Sequence, residues 1–233
     1  MANRPVFMIS EKAPFFQEQI ISFRYYNGFS DIQKQKSIRS LHDTFLESFS
    51  TDRILEISTK SENELGVKLS AFNLMINTND GKSFSVESAF QSSKVFQNGG
   101  PYKDLLRKSS KEAKRDRRLK ESGKLMSFYF SKRFFPLTPT TFFYNWLYIN
   151  ALAMYPELGK EVAEYTAFTD IAFNPERSLN CQARAVAIYV SLKKSGKLNE
   201  ALANPNSFLQ VVYSMPEKEF SVHESQLSIW DMQ

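Results

Sequence analysis

The central element of this chain is the segment Ser85-Val-Glu-Ser-Ala-Phe-Gln-Ser-Ser-Lys-Val-Phe-Gln-Asn-Gly-Gly100. At helical spacing it has one mostly apolar face and one narrow polar row. The row contains residues spaced i, i+4, i+7 and i+11: Glu87, Gln91, Lys94 and Asn98. The pattern predicts a helix capped by Ser83 or Ser85 that ends at the Gly99-Gly100 pair. Such a row fits either a solvated surface or one wall of an active site.

The rest of the chain predicts a mainly helical α+β fold with a small β-sheet early in the sequence. Short apolar or β-branched segments predict strands over 6–9, 54–57 and 67–76, and Asp80-Gly81 predicts a turn. Apolar periodicity predicts five further helices, over 31–49, 102–122, 142–154, 158–168 and 180–194. Thr138 or Thr140 is expected to cap the helix over 142–154. Residues 208–213 are expected to be a strand or a packing arm.

The length of 233 residues is sufficient for one sizeable core or at most two small domains. Because no repeat, low-complexity segment or linker is visible, we expect a single domain over residues 1–233. Its core is expected to cover about 1–195, followed by a C-terminal extension over 196–233, where the periodic signals are weaker.

Composition argues against several classes of protein. A single cysteine excludes an internal disulfide framework and is typical of a reducing compartment, so we expect a cytoplasmic protein. Two histidines and one cysteine are too few for the usual transition-metal site, and we expect no metal and no cofactor. No glycine-rich phosphate loop, signal peptide or membrane-spanning apolar run is recognisable. Partners are therefore expected in solution, not in a membrane.

The net charge of +5 is concentrated in one segment. Between Lys103 and Arg133 there are 12 Lys and Arg against 4 Asp and Glu. This excess is consistent with a solvated helix face or with a binding surface for a polyanion. The residues we select as candidates for contact with nucleic acid are Lys114, Arg115, Arg117 and Arg118.

Other polar and aromatic candidates have simple structural explanations. Asp170 lies in a predicted loop between two phenylalanines and could cap a neighbouring helix. Asn180 is most simply the N-cap of the helix that follows, and Trp146 is most simply a core residue. Spacing alone does not decide between structural and functional roles for these residues.

Several motifs together resemble the NADAR (YbiA-like) superfamily. They are Leu69-Ser-Ala-Phe-Asn-Leu74, the Ser85–Phe96 segment, a central Trp helix, and Asp170 followed by Asn180. Three fuller matches resemble the branch of NADAR antitoxins associated with DarT-type ADP-ribosyltransferase toxins: Gln91–Tyr102, Ala113-Lys-Arg-Asp116 and Phe168-Thr-Asp-Ile171. The resemblance covers roughly residues 1–195.

The resemblance implies an N-glycosidase that removes ADP-ribose from guanine bases of DNA or RNA, paired with a DarT-type toxin. It implies Glu87, Lys94 and Asp170 as catalytic residues. It also implies eight substrate-binding residues: Phe72, Asn73, Gln91, Gly99, Gly100, Trp146, Asn180 and Gln182. Gln182 is included because it closely follows the matched Asn180. ADP-ribose and ADP-ribosylated nucleic acid are the implied ligands.

The chain departs from the general family pattern at two positions. Where the family has a histidine directly after the glutamate, this chain has Ser88. Where the family has a glycine before the final asparagine, this chain has none, as Ser178-Leu-Asn180 shows. These departures weaken the expectation of a riboflavin-pathway substrate. A small-molecule N-glycosidase and a non-catalytic ADP-ribose-binding module remain alternatives. The mechanism is also open: a carboxylate could stabilise positive charge at ribose C1, or Lys94 could form a Schiff base there.

Overall fold

A computed structural model describes residues 1–50, 52–176 and 178–216. Helices and strands both occur throughout the chain, which confirms the predicted α+β class. In chain order the elements are β1 (Ala2–Ile9), β2 (Phe16–Phe23), α1 (Asp31–Ser48), β3 (Ile54–Glu56), α2 (Glu64–Lys68), β4 (Met75–Asn77), β5 (Ser83–Ser85), α3 (Val86–Ser92), β6 (Lys94–Phe96), a 3-10 helix (Lys103–Arg107), α4 (Ser110–Arg115), α5 (Arg118–Glu121), β7 (Leu125–Phe130), β8 (Arg133–Phe135), α6 (Phe142–Ala153), α7 (Pro156–Val162), β9 (Ala167–Thr169), α8 (Gln182–Lys194), α9 (Leu198–Leu202) and α10 (Pro205–Tyr213).

The chain forms two compact units, each assembled from two separate segments. Unit 1 contains Met1–Ser70 and Tyr155–Asn199, and unit 2 contains Ala71–Met154 and the residues from Glu200 onward. Residues 217–233, the second part of the expected C-terminal extension, lie outside the described residues.

Unit 1 is organised around a four-stranded sheet with the order β2-β1-β9-β3. β1 and β9 are antiparallel, whereas β9 and β3 are parallel, so the carboxyl ends of β3 and β9 lie side by side. Helix α1 buries Leu41 and Phe45 against Val6 and Phe23 of the sheet. The predicted strands over 6–9 and 54–57 and the predicted helix over 31–49 are confirmed.

Three predictions in and beside unit 1 are wrong. Residues 67–76 are not one strand, because Asn63 caps helix α2 and only Met75 onward pairs in a sheet. The helix predicted over 158–168 ends at Val162, since the next apolar residues pair as β9. Cys181, not Asn180, occupies the N-cap position of α8.

Unit 2 contains the β4–β5 hairpin, a three-stranded sheet of order β6-β7-β8, and the buried helix α6. The hairpin turn predicted at Asp80-Gly81 and the helix predicted over 142–154 are confirmed. Aromatic side chains dominate the packing, with Phe143 in contact with the rings of Phe90, Phe128 and Phe135. Burial of many large rings gives this unit a well-filled core.

The helix that begins after Ser85 is shorter than predicted. Ser85 is its N-cap as expected, but α3 ends at Ser92. The hydroxyls of Ser92 and Ser93 both donate to the carbonyl of Ala89, a local bond that competes with helix continuation. Lys94 then pairs with Phe128 of β7. Lys94 therefore lies on a strand, not on the helical row with Glu87.

Further predictions in unit 2 also need correction. The segment over 102–122 is not one helix but a 3-10 helix followed by α4 and α5. Thr141, in a left-handed conformation, takes the N-cap position of α6 in place of Thr138 or Thr140. Residues 208–213 belong to helix α10, which starts at Pro205 and is capped by Asn204.

Candidate functional site

Glu87 is a buried carboxylate in the first turn of α3. Glu87 is 5% exposed, and its backbone N–H donates to the carbonyl of Ala71 at 2.9 Å. The side chain of Gln91, one turn later, donates to Glu87 Oε1 at 2.8 Å. Of the predicted polar row, only Glu87 and Gln91 therefore lie on the helix. A carboxylate so buried needs such partners, because its removal from water is costly.

Lys94 comes directly after the C-cap of α3 and is half-buried. Its ammonium group lies 4.9 Å from the centre of the Phe90 ring. The pKa of Lys94 is lowered to about 8, mainly by burial; the charge of Glu87 opposes this shift, and the positive charge of Lys114 contributes to it. At pH 7 about one Lys94 side chain in ten would be unprotonated, against fewer than about one in a thousand for an ordinary lysine.

Lys114 completes this charged group from helix α4. Its Nζ lies 3.5 Å from Glu87 Oε1 and 5.1 Å from the centre of the Phe72 ring. The sequence placed Lys114 among residues for nucleic-acid contact, but the structure places it beside the candidate catalytic carboxylate. No spacing rule indicates this contact, since it depends on how α4 packs against α3. Glu87, Lys94 and Lys114 are hereafter called the charged triplet.

A chain of serine hydroxyls holds α3 against α4. Ser110 Oγ donates to the carbonyl of Phe72 at 2.9 Å and lies 2.6 Å from Ser85 Oγ, which in turn caps Ser88. Ser88 Oγ donates to the carbonyl of Lys108 at 3.1 Å. The residue that replaces the family histidine is therefore part of this scaffold. These bonds fix Phe72 and the start of α3 relative to each other.

The two glycines predicted for substrate binding lie in a tight turn after β6. Phe96 and Gly99 form an isolated bridge, and Gly100 has a φ of +86°, a conformation that favours glycine. A Cβ at Gly100 would lie 2.3 Å from the carbonyl oxygen of Lys94. This close approach brings the glycine turn against the Lys94 backbone. Any larger residue at Gly100 would displace that strand.

The other predicted binding residues of unit 2 differ in exposure. Phe72 is half-buried, and the neighbouring Asn73 is exposed. Trp146 is 3% exposed and packs on Phe135 with ring centres 4.9 Å apart. Its ring therefore lies in the core of unit 2. A substrate role for Trp146 and Asn73 stays a prediction.

Asp170 belongs to unit 1, at the carboxyl end of β9. Glu56, at the end of the parallel strand β3, accepts hydrogen bonds from Thr169 Oγ1 at 2.6 Å and from the Ile171 N–H at 2.8 Å. These two bonds flank Asp170 and hold its backbone. Asp170 itself accepts from the Ala172 N–H at 3.0 Å. Burial raises the pKa of Glu56, although its hydrogen bonds oppose the shift.

The remaining candidates of unit 1 lie beyond Asp170. Asn180 is half-buried, and its carbonyl accepts from the Ser178 hydroxyl. Gln182 is the first residue of α8 and is also half-buried. Their side-chain roles stay predictions.

Thr169 also connects the Glu56 network to His42 of α1. His42 Nε2 lies 2.8 Å from Thr169 Oγ1, and burial lowers the pKa of His42 to about 4. Because the folded state disfavours the protonated ring, the free energy of unfolding should decrease as the pH falls from about 6.5 to about 4. The loss should reach up to about 3 kcal/mol.

The measurement that checks this prediction is urea denaturation of the wild type and His42→Gln at pH 7, 5.5 and 4. The raised pKa of Glu56 has the opposite effect on stability, but both proteins share it. Relative to wild type, the variant should therefore gain stability as the pH falls. Parallel pH dependences would contradict the prediction.

The four basic residues proposed for nucleic-acid contact differ in their ion pairs and in their exposure to solvent. Arg118, the first residue of α5, pairs with Asp104 of the 3-10 helix at 2.7 Å and with Asp116, the residue after α4, at 2.8 Å. Arg115 and Arg117 are exposed. The structure thus gives Arg118 a structural role and leaves the other two in solvent.

The described residues contain neither a cluster of metal ligands nor a membrane-spanning helix. No group of three or more His, Cys, Asp or Glu among them could hold a metal ion. None of the helices in this part of the chain is long and apolar enough to cross a bilayer.

The α+β fold, the Ser85-capped helix with its glutamate, and the adjacent lysine define a protein of the NADAR class. The model of one family, described as DarT1-associated NADAR antitoxin, matches residues 2–221. The chain belongs to this family, which confirms the resemblance drawn from the sequence. A comparison with curated proteins gave no match.

Proposed function

We propose that this protein is an N-glycosidase that removes ADP-ribose from ADP-ribosylated guanine in nucleic acid. In this role it would reverse the reaction of a DarT-type toxin. The observation that carries the proposal is the charged triplet: a buried carboxylate, a half-buried lysine whose pKa is lowered to about 8, and a second lysine 3.5 Å from the carboxylate. Membership of the DarT1-associated family supports the choice of substrate.

Lys94 is proposed as the nucleophile. After the ribose ring opens, the unprotonated Nζ adds to C1, and the guanine nitrogen leaves that carbon with a proton. Water then hydrolyses the lysine imine, so that free ADP-ribose and unmodified guanine result. A lysine with a pKa near 8 suits this chemistry, because the amine must be unprotonated to attack.

Glu87 is proposed to move protons and to stabilise positive charge at C1. Gln91 fixes the orientation of the carboxylate through its 2.8 Å hydrogen bond. In the alternative route without a covalent intermediate, Glu87 would stabilise an oxocarbenium-like C1 during attack by water. Both routes break the same C1–N bond and give the same products.

Phe72 and the glycine turn are proposed to contact the substrate. Phe72 is half-buried beside Lys114, and the turn lies against the Lys94 backbone. Asp170, Asn73, Asn180, Gln182 and Trp146 remain proposed site residues on the evidence of the family resemblance. Asp170 is a candidate to bind ribose hydroxyls.

The proposal is tested by incubating the protein with an ADP-ribosylated guanine oligonucleotide and following the release of ADP-ribose. Release by the wild type, with little turnover of riboflavin-pathway intermediates, is the expected result. Turnover of the small molecules alone would favour the metabolic alternative. Stable binding of the modified oligonucleotide without release would favour a non-catalytic module.

Lys114 should set the pH at which the enzyme becomes active. Loss of its charge removes a group that lowers the pKa of Lys94, so Lys114→Gln should move the rising limb of the pH–rate profile upward by about half a unit. Lys111→Gln removes an equal charge from an exposed position of the same helix and is the matched control. Identical profiles for wild type and Lys114→Gln would contradict the prediction.

A further inference from the structure

The β7–β8 hairpin of unit 2 carries an aromatic pair on its outer face. Tyr129 and Phe134 are direct cross-strand partners, so their side chains project on the same side of the sheet, with ring centres 4.7 Å apart. Phe134 is 54% exposed, whereas the neighbouring Phe128 and Phe135 are buried. The core thus uses the other face of the hairpin. The outer pair leaves one large ring accessible to solvent.

A lysine lies at this aromatic pair. Lys103 Nζ is 5.6 Å from the centre of the Tyr129 ring. The hairpin turn adds the exposed Lys132, and the exposed Lys124 immediately precedes β7. Cations beside accessible rings are the combination that binds single-stranded nucleic acid, in which phosphates contact the cations and bases stack on the rings.

The acidic residues of the Lys103–Arg133 segment do little to neutralise the positive charge around the aromatic pair. Asp104 and Asp116 both form ion pairs with Arg118 and Lys108. Glu112 accepts hydrogen bonds from Ser109 in the capping box of α4. The positive excess of the segment is therefore not cancelled by these pairs. An anionic partner has the complementary charge.

We propose that Tyr129, Phe134 and Lys103 form a binding surface for unpaired bases of the nucleic-acid strand that carries the modification. One base stacks on Phe134, and the lysine contacts an adjacent phosphate. The inference rests on the proposed nucleic-acid substrate but assigns a site separate from the charged triplet. Because stacking needs a base with a free face, the surface should favour single strands over duplexes.

The test measures binding of a fluorescently labelled, unmodified single-stranded oligonucleotide by anisotropy, with a duplex of the same sequence for comparison. Phe134→Ala should weaken binding of the single strand by about tenfold or more. Phe134→Trp should retain it. Phe29→Ala removes a fully exposed phenylalanine of unit 1 and should have less than about a twofold effect.

A second measurement separates this inference from the proposed function. Release of ADP-ribose from the free ADP-ribosylated nucleoside should be the same in Phe134→Ala and wild type, since Phe134 is not part of the charged triplet. Failure of the wild type to release ADP-ribose from the ADP-ribosylated oligonucleotide would contradict the proposed function without affecting the binding result. Unchanged affinity in Phe134→Ala, no binding by the wild type, or a preference for duplex would each overturn the inference.

Discussion

Replacement of Lys94 by arginine should reduce the release of ADP-ribose by at least about 1,000-fold. Arginine keeps the positive charge but stays protonated, so it cannot add to C1. Losses of this size are usual when an enzymatic nucleophile is removed. Initial rates on an ADP-ribosylated oligonucleotide would measure the effect. Lys111→Arg is the control, because it makes the same change at an exposed position.

Borohydride reduction during turnover tests the same residue directly. The wild type and Lys111→Arg should gain a stable adduct on Lys94, detectable by peptide mass, and Lys94→Arg should gain none. If no adduct forms and Lys94→Arg keeps more than a tenth of the activity, Lys94 is not the nucleophile. The route through an oxocarbenium-like C1 would then be the better account.

Replacement of Glu87 by glutamine should lower activity by about 100- to 1,000-fold. The substitution keeps the shape of the side chain, and its remaining oxygen can still accept from Gln91. It removes the negative charge that would stabilise C1 and move protons. Glu121→Gln is the control, because it makes the same change at an exposed carboxylate of the Lys103–Arg133 segment.

The residual activity of Glu87→Gln should also have a different pH dependence. Glu87 raises the pKa of Lys94, so loss of its charge should move the rising limb of the profile to lower pH, opposite to the effect of Lys114→Gln. An unchanged profile would show that the charge of Glu87 does not act on Lys94. Normal activity in Glu87→Gln would exclude the carboxylate from the mechanism.

Local sequence signals predicted the features of the site that depend on local bonds. Ser85 caps α3 because its hydroxyl reaches the Ser88 N–H, and Gln91 reaches Glu87 because residues four apart face each other on a helix. The confirmed helix over 142–154 has apolar residues on nearly every side, which is typical of a buried element. These signals identified the principal candidates.

The errors arose where distant segments determine the local structure. Lys94 has helical spacing from Glu87, yet pairing with β7 places it on a strand. The contact of Lys114 with Glu87 joins residues far apart in sequence and left no periodic signal. The same applies to Glu56, whose bonds to Thr169 and Ile171 cross more than a hundred residues. Contacts of this kind follow from the assembled fold and not from residue spacing.

The most direct measurement is a single-turnover reaction of the wild type with an ADP-ribosylated guanine oligonucleotide, followed by mass spectrometry of both products. The proposed mechanism predicts free ADP-ribose and an oligonucleotide with the mass of unmodified guanine. Glu87→Gln and Lys94→Arg should leave the substrate intact on the same time scale. An unchanged substrate with the wild type, or cleavage that leaves the ribose attached to guanine, would contradict the account.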